Sequence, residues 1–130
     1  MYRVEIVNRG DTVFNVSSGG SEFIIDTKGK GVTPLDALLA GLGSCMGVYI
    51  RKYIEGAKLE LKEFVITKEA QFSKEKPVCF RDIFVSIDLK GVKLGGQRQK
   101  ALIDFIKNCP AHNTLKNNPF IEIKIIKKSL

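Results

Sequence analysis

The chain has 130 residues, 44% of them apolar and 27% charged, with a net charge of +7. That length suits one domain spanning 1–130 with a single hydrophobic core, and the composition is that of a soluble globular protein. The basic excess is scattered and forms no stripe with interleaved aromatics, so a nucleic-acid partner is not expected.

No apolar run follows the start Met1-Tyr2-Arg3-Val4-Glu5, so no signal peptide is expected. The least polar stretch, Val32 to Ile50, carries Asp36, a proline and several glycines and serines, which argues against a membrane span. Three cysteines without a secretory signal point to the cytoplasm, where thiols stay reduced unless they turn over.

The first third reads as a β-meander. Tyr2 to Asn8, Thr12 to Val16 and Glu22 to Asp26 are strands, separated by turns at Arg9-Gly10-Asp11 and Ser17 to Ser21. A basic glycine loop, Lys28 to Gly31, leads to a long helix with Thr33 as N-cap, Pro34 at its first position and Asp36 in its first turn. Leu35, Leu38, Leu42, Cys45, Met46 and Tyr49 recur at helical spacing, while the opposite face is small rather than charged. Such a helix is expected to be covered on all sides, with its glycines at 41, 43 and 47 allowing close backbone packing, and to end at Gly56. Leu61 to Phe72 and Val78 to Lys90 read as long strands. A second helix runs from about Gly96 to Asn108, where Pro110 breaks or restarts it. Phe120 to Lys127 reads as a final strand with Ile121, Ile123 and Ile125 facing inward. The order βββ-α-ββ-α-β is that of an α+β domain with a largely antiparallel sheet.

Two cysteines lie on the apolar stripes of these helices. If the helices pack together, Cys45 and Cys109 face each other and supply the material for thiol redox chemistry. A cysteine among Leu, Ala and Gly also suits plain packing as a small hydrophobe. Cys79, beside Pro77 and Arg81, is expected to face the sheet core and to be inert. Cys109 precedes Pro110, and as an N-cap its thiol would be made more acidic by the free amides there. A zinc site is not expected, because His112 is the only histidine and a closed site needs four ligands.

The segment from Pro34 to Cys45 and the later Cys109-Pro110-Ala111-His112-Asn113-Thr114-Leu115 resemble, together and in this order, the OsmC/Ohr family of osmotically induced and organic-hydroperoxide-resistance proteins. The resemblance extends over nearly the whole chain. It implies an intertwined homodimer, with mostly antiparallel sheets wrapped around central helices, no cofactor, and a site at the subunit interface. It further implies that Cys45 is peroxidatic and Cys109 resolving, with an organic hydroperoxide as substrate and an external dithiol as reductant. In the Ohr branch an arginine from the N-terminal strands activates the thiolate, and a glutamate directly after the motif proline positions it. Here Leu35 follows Pro34 and the acid is Asp36, one residue later and one carbon shorter. Arg9 is the best arginine candidate, ahead of Arg3, Arg51 and Arg81. The alternative is a small-molecule-binding or redox-sensing protein of the same fold. Helix-end physics favours Cys109 as the acidic thiol and the resemblance favours Cys45 as the nucleophile. The resemblance is preferred, since an arginine can outweigh a local dipole.

Overall fold

A computed structural model describes residues 2–126. Strands β1 (Glu5–Asn8), β2 (Val13–Ser18) and β3 (Ser21–Asp26) form an antiparallel meander. Helix α1 (Pro34–Gly56) follows, then the antiparallel pair β4 (Val65–Phe72) and β5 (Phe80–Asp88), then α2 (Gly96–Ile106) and α3 (Pro110–Lys116). The β2–β3 connection is the two-residue turn Gly19-Gly20, both at positive φ (53° and 87°), a conformation that glycine adopts without steric cost.

Helix α1 begins as its sequence dictates. The Thr33 hydroxyl accepts the Asp36 amide at 3.1 Å, and Pro34 needs no hydrogen-bond acceptor at the first position. At the other end Gly56 is the last helical residue, but it is not the residue that turns the chain. Lys58 takes the left-handed conformation (φ 55°), and the Leu59 amide reaches the Ile54 carbonyl at 3.0 Å while the Lys58 amide reaches Glu55. These two bonds satisfy carbonyls that the last turn leaves free.

Leu42, Met46, Ile50 and Ile54 form the buried stripe of α1 and meet Leu61, Leu102, Ile106 and Cys109 in one core. Each such aliphatic side chain contributes about 1.5–3 kcal/mol on burial. Strand β4 covers the neighbouring face. A Cβ on Gly47 would stand 3.5 Å from Ile66, whereas one on Gly43 would overlap the Lys68 ammonium, which donates to the Leu39 carbonyl at 2.5 Å. Close packing at 43 and 47 is therefore real, but a Cβ on Gly41 would meet nothing within 4 Å.

Two expectations need correction. Within one chain α1 is not covered all round: Leu35, Leu38 and Val48 are exposed. The expected last strand also does not form over the described part of 120–127. Residues 120–126 form no regular element and have no ladder partners, and Ile121, Ile123 and Ile125 are 74%, 89% and 97% exposed rather than inward-facing. A strand needs a neighbouring strand to bond to, and this segment pairs with none of the five strands described here. Lys127 lies outside the described residues. The chain from β5 onward thus reads helix, short helix, irregular segment.

Candidate functional site

The α2–α3 elbow places Cys109. Helix α2 ends at Ile106, the Cys109 amide bonds back to the Ile106 carbonyl at 3.0 Å, and Pro110 starts α3 with Cys109 as its N-cap. This puts the Cys109 side chain at 0% exposure in the core beside Leu102 and Ile106. Cys45, half-buried and next to Met46 on α1, packs against the same cluster, near enough to Cys109 to perturb its thiol. Both are free thiols.

Burial pushes the Cys109 thiol above its ordinary range, and the neighbouring Cys45 thiol pushes it further. The amides of His112 and Ala111 pull the other way without winning. The expectation that Cys109 is the acidic thiol of the pair is therefore overturned. The helix end is present, but desolvation outweighs its few free amides. Cys109 rests protonated beside Cys45.

Cys79 does not face the sheet core. It precedes β5 and is exposed, because the strand starts one residue later, where the register slips between Gln71 and Phe72. Asp36 is exposed at the third position of α1. Cys45 lies nine residues further along, about 13 Å up the axis and on the opposite side of the helix at 100° per residue. Arg9 is exposed in the β1–β2 turn, whose shape is set by the side chains of Asn8 and Asp11. It makes no hydrogen bond or ion pair among the described residues. Arg51 is engaged elsewhere, donating to the Leu61 and Lys62 carbonyls and lying over Phe64. Arg3 pairs with Glu5 at the surface. Within one chain, then, the cysteines meet, and neither Arg9 nor Asp36 joins them.

Two adjoining clefts, about 760 and 540 Å³, run between β5 and the helices. They share Met46, Ile83, Val85 and His112. The first also takes Cys79, Arg81, Asp82 and Lys116 into its lining, and the second takes Lys107. His112 is a residue that sequence reasoning left without a role once zinc was set aside. Its position three residues after Cys109 on a helix N-terminus was the signal available. Among the described residues no group of three or more Cys, His, Asp and Glu is placed to hold a metal ion. No described helix is long and apolar enough to cross a membrane.

Comparison with known proteins agrees with this architecture. The family model for OsmC-like protein matches residues 27–124. A protein of Mycoplasma genitalium named hydroperoxide reductase is 27% identical over 95% of this chain and 93% of its own length. Among solved structures, an OsmC-like protein from Mycoplasma pneumoniae superposes with a TM-score of 0.76 at 23% identity, covering 91% of this chain and 89% of the other. An organic hydroperoxide resistance protein OsmC from Legionella pneumophila gives 0.62 at 18% identity over 91% and 90%. With the family model matching both cysteine segments and most of the chain between β3 and the C-terminal extension, the chain belongs to the family of OsmC-like proteins.

Proposed function

We propose that this protein is a cofactor-free thiol peroxidase that reduces organic hydroperoxides in the cytoplasm. The observation that carries the reading is the meeting of two free thiols from separate elements, one half-exposed and one buried and protonated. The Cys45 thiolate attacks the terminal oxygen of the O–O bond. That bond breaks, the alcohol leaves, and Cys45 becomes a sulfenic acid. Cys109 condenses with the sulfenic acid, forming the Cys45–Cys109 disulfide and releasing water. An external dithiol then reduces the disulfide by thiol exchange and is itself oxidised. The apolar clefts beside Met46 suit an organic peroxide better than hydrogen peroxide, since they give an alkyl group somewhere to be buried. The name of the Mycoplasma genitalium relative supports the same chemistry.

The working unit in this reading is a homodimer. A folded monomer of 14.5 kDa exposes about 6,900 Å² by the usual surface–mass scaling, while this chain exposes 10931 Å². The excess, about 4,000 Å² per chain, includes the uncovered α1 face and the unpaired segment 120–126. A second copy covers both. Arg9, remote from Cys45 in its own chain, is assigned to the thiolate across that interface, with Asp36 orienting it. The test is peroxide consumption driven by a dithiol. Wild type turns over cumene hydroperoxide and Cys45→Ser does not. Full activity in Cys45→Ser refutes the reading, and a wild type that binds hydroperoxide without consuming it favours the binding or sensing alternative.

A further inference from the structure

We propose that Phe105, wedged between Tyr49 and Tyr53, is the positioning residue that sets the register of α2 along α1 and so brings Cys109 to Cys45 for bridge closure. The inference rests on the peroxidase reading above, because it concerns the step after Cys45 has become a sulfenic acid. In that step one S–S bond forms, the S–O bond of the sulfenic acid breaks, and the Cys109 proton leaves with the departing oxygen as water.

The aliphatic contacts alone leave that register open. The buried stripe of α1 repeats every four residues, at Leu42, Met46, Ile50 and Ile54. The buried residues of α2, Leu102 and Ile106, are also four apart. Sliding α2 by one helical turn, about 5.4 Å, sets aliphatic side chains against aliphatic side chains again. Helix α2 also holds itself only weakly. It has 11 residues, no side-chain cap at Gly95 and no acidic residue in its first turn. An isolated helix shorter than about 12–15 residues is marginal in water, so what α2 packs against decides where it lies.

The aromatic side chains remove the ambiguity. The Phe105 ring stands 5.6 Å from the Tyr49 ring and 6.0 Å from the Tyr53 ring, tilted by 57° and 51°, at the spacing of favourable aromatic pairs. Tyr49 and Tyr53 are one turn apart, so Phe105 sits between successive turns of α1. No other aromatic residue lies on α1, and a slide in either direction loses one of the two contacts. The seat of Phe105 is passed to Cys109 through the backbone. The Asn108 amide bonds the Phe105 carbonyl at 3.1 Å, and the Cys109 amide bonds the Ile106 carbonyl at 3.0 Å. The chain meanwhile runs backward along α1. Phe105 meets Tyr49 and Tyr53, whereas Leu115 of α3 shares a cleft with Leu35, Leu38 and Leu42. Cys109, between Phe105 and Leu115, therefore falls opposite the stretch from Leu42 to Tyr49, where Cys45 stands one turn before Tyr49. Cys45, Tyr49 and Tyr53 all pack against the core that contains Cys109.

The experiment measures the bridge without peroxide and then with it. Wild type, Phe105→Leu, Tyr49→Leu and Phe105→Tyr are equilibrated with mixtures of reduced and oxidised dithiothreitol, and the Cys45–Cys109 disulfide is quantified by mass spectrometry. Oxidised dithiothreitol takes two electrons and two protons from the two thiols and opens to its dithiol. Each reduced protein is then mixed with one equivalent of cumene hydroperoxide, and the Cys45 sulfenic acid is trapped with dimedone at successive times. Phe105 and Tyr49 are both half-buried, and leucine keeps each position apolar. An aromatic pair contributes up to about a tenfold factor. Both leucine variants are expected to form the bridge about tenfold less readily, a potential less negative by about 30 mV. Sulfenic acid is expected to form in them at the wild-type rate and to persist longer. Phe105→Tyr keeps the ring and is expected to match wild type. Val16→Ala, in β2 and outside the core shared by α1 and α2, lowers overall stability and is expected to leave the potential unchanged. Wild-type potentials in both leucine variants, a shift in Phe105→Tyr as large as in Phe105→Leu, or an equal shift in Val16→Ala overturns the assignment and leaves the peroxidase reading intact. Potentials that shift as expected in proteins that consume no peroxide overturn the peroxidase reading and leave the register assignment standing. A wild type that forms no Cys45–Cys109 bridge in either assay overturns both.

Discussion

Gly43 and Lys68 fix how α1, and with it Cys45, lies against β4. Alanine at 43 removes the flexibility cost of a glycine inside a helix, a gain of about 1 kcal/mol. Its methyl group would occupy the place of the Lys68 ammonium, so the bond from Nζ to the Leu39 carbonyl is lost. A hydrogen bond from a charged donor contributes about 1.5–3 kcal/mol, and the half-exposed position of Lys68 puts this one at the lower end. Gly43→Ala is therefore expected to cost about 0.5–1 kcal/mol net. In a Lys68→Ala background the obstruction is gone, and the next neighbour is the Ile66 Cγ2 at 3.9 Å, an ordinary contact. There the same substitution should stabilise by about 1 kcal/mol. Urea unfolding of the four proteins at one fixed concentration measures both effects, and the sign change is the signature of direct coupling. Equal stabilisation by alanine in both backgrounds would refute the packing described for α1.

The remaining expectations concern the thiols, the acid at the end of β3 and the dimer. Cys109→Ser should leave the first oxidation of Cys45 intact but let it run on to sulfinic acid, detectable as two added oxygens by mass spectrometry. The raised pKa of Cys109 makes folding favourable below the ordinary thiol value of 9.0, where both states hold the proton, and that contribution is lost as pH rises through the higher folded value. Stability curves of wild type should thus fall above about pH 9 more steeply than those of Cys109→Ala. Asp26, buried with its carboxylate accepting the Lys28 and Lys30 amides at 3.0 Å, has its pKa lowered chiefly by the Lys28 amide. Its contribution is present above the ordinary carboxylate value of 3.8 and fades as pH falls below it, so Asp26→Asn should weaken the fold at neutral pH and blunt the acid limb. Sedimentation should give a dimer, with a thermal midpoint that rises with protein concentration. Lysine at both Ile123 and Ile125 should weaken that dimer, and an unchanged monomeric wild type would contradict the area argument.

Much of this fold was legible locally. Thr33, Pro34 and Asp36 announce the start of α1 because a helix N-terminus is satisfied by its own neighbours in sequence. The meander and the β4–β5 pair follow from alternation and turn residues in the same way. Where local rules failed, a distant element decided. Residues 120–126 alternate like a strand, but a strand exists only with a partner, and none of the described strands pairs with them. Gly56 ends the helix as its sequence suggested, but the left-handed turn after it falls at Lys58, where the Ile54 and Glu55 carbonyls are bonded. The acidity of Cys109 was misjudged for the same reason: the helix end is visible in Cys109-Pro110, whereas its burial under Leu102 and Ile106 is not. The pairing of Cys45 with Cys109 came from family resemblance and could not have been obtained from their separation in the chain. The remoteness of Arg9 and Asp36 from that pair within one chain is likewise a tertiary fact.

The central claim is that Cys45 and Cys109 form one redox site. One equivalent of cumene hydroperoxide added to the fully reduced protein, followed by counting free thiols and mapping peptides by mass spectrometry, addresses it directly. The account predicts rapid loss of two thiols per chain, with a Cys45–Cys109 disulfide and an unmodified Cys79. Thiols that persist over minutes, or a bridge that involves Cys79 instead, would contradict it.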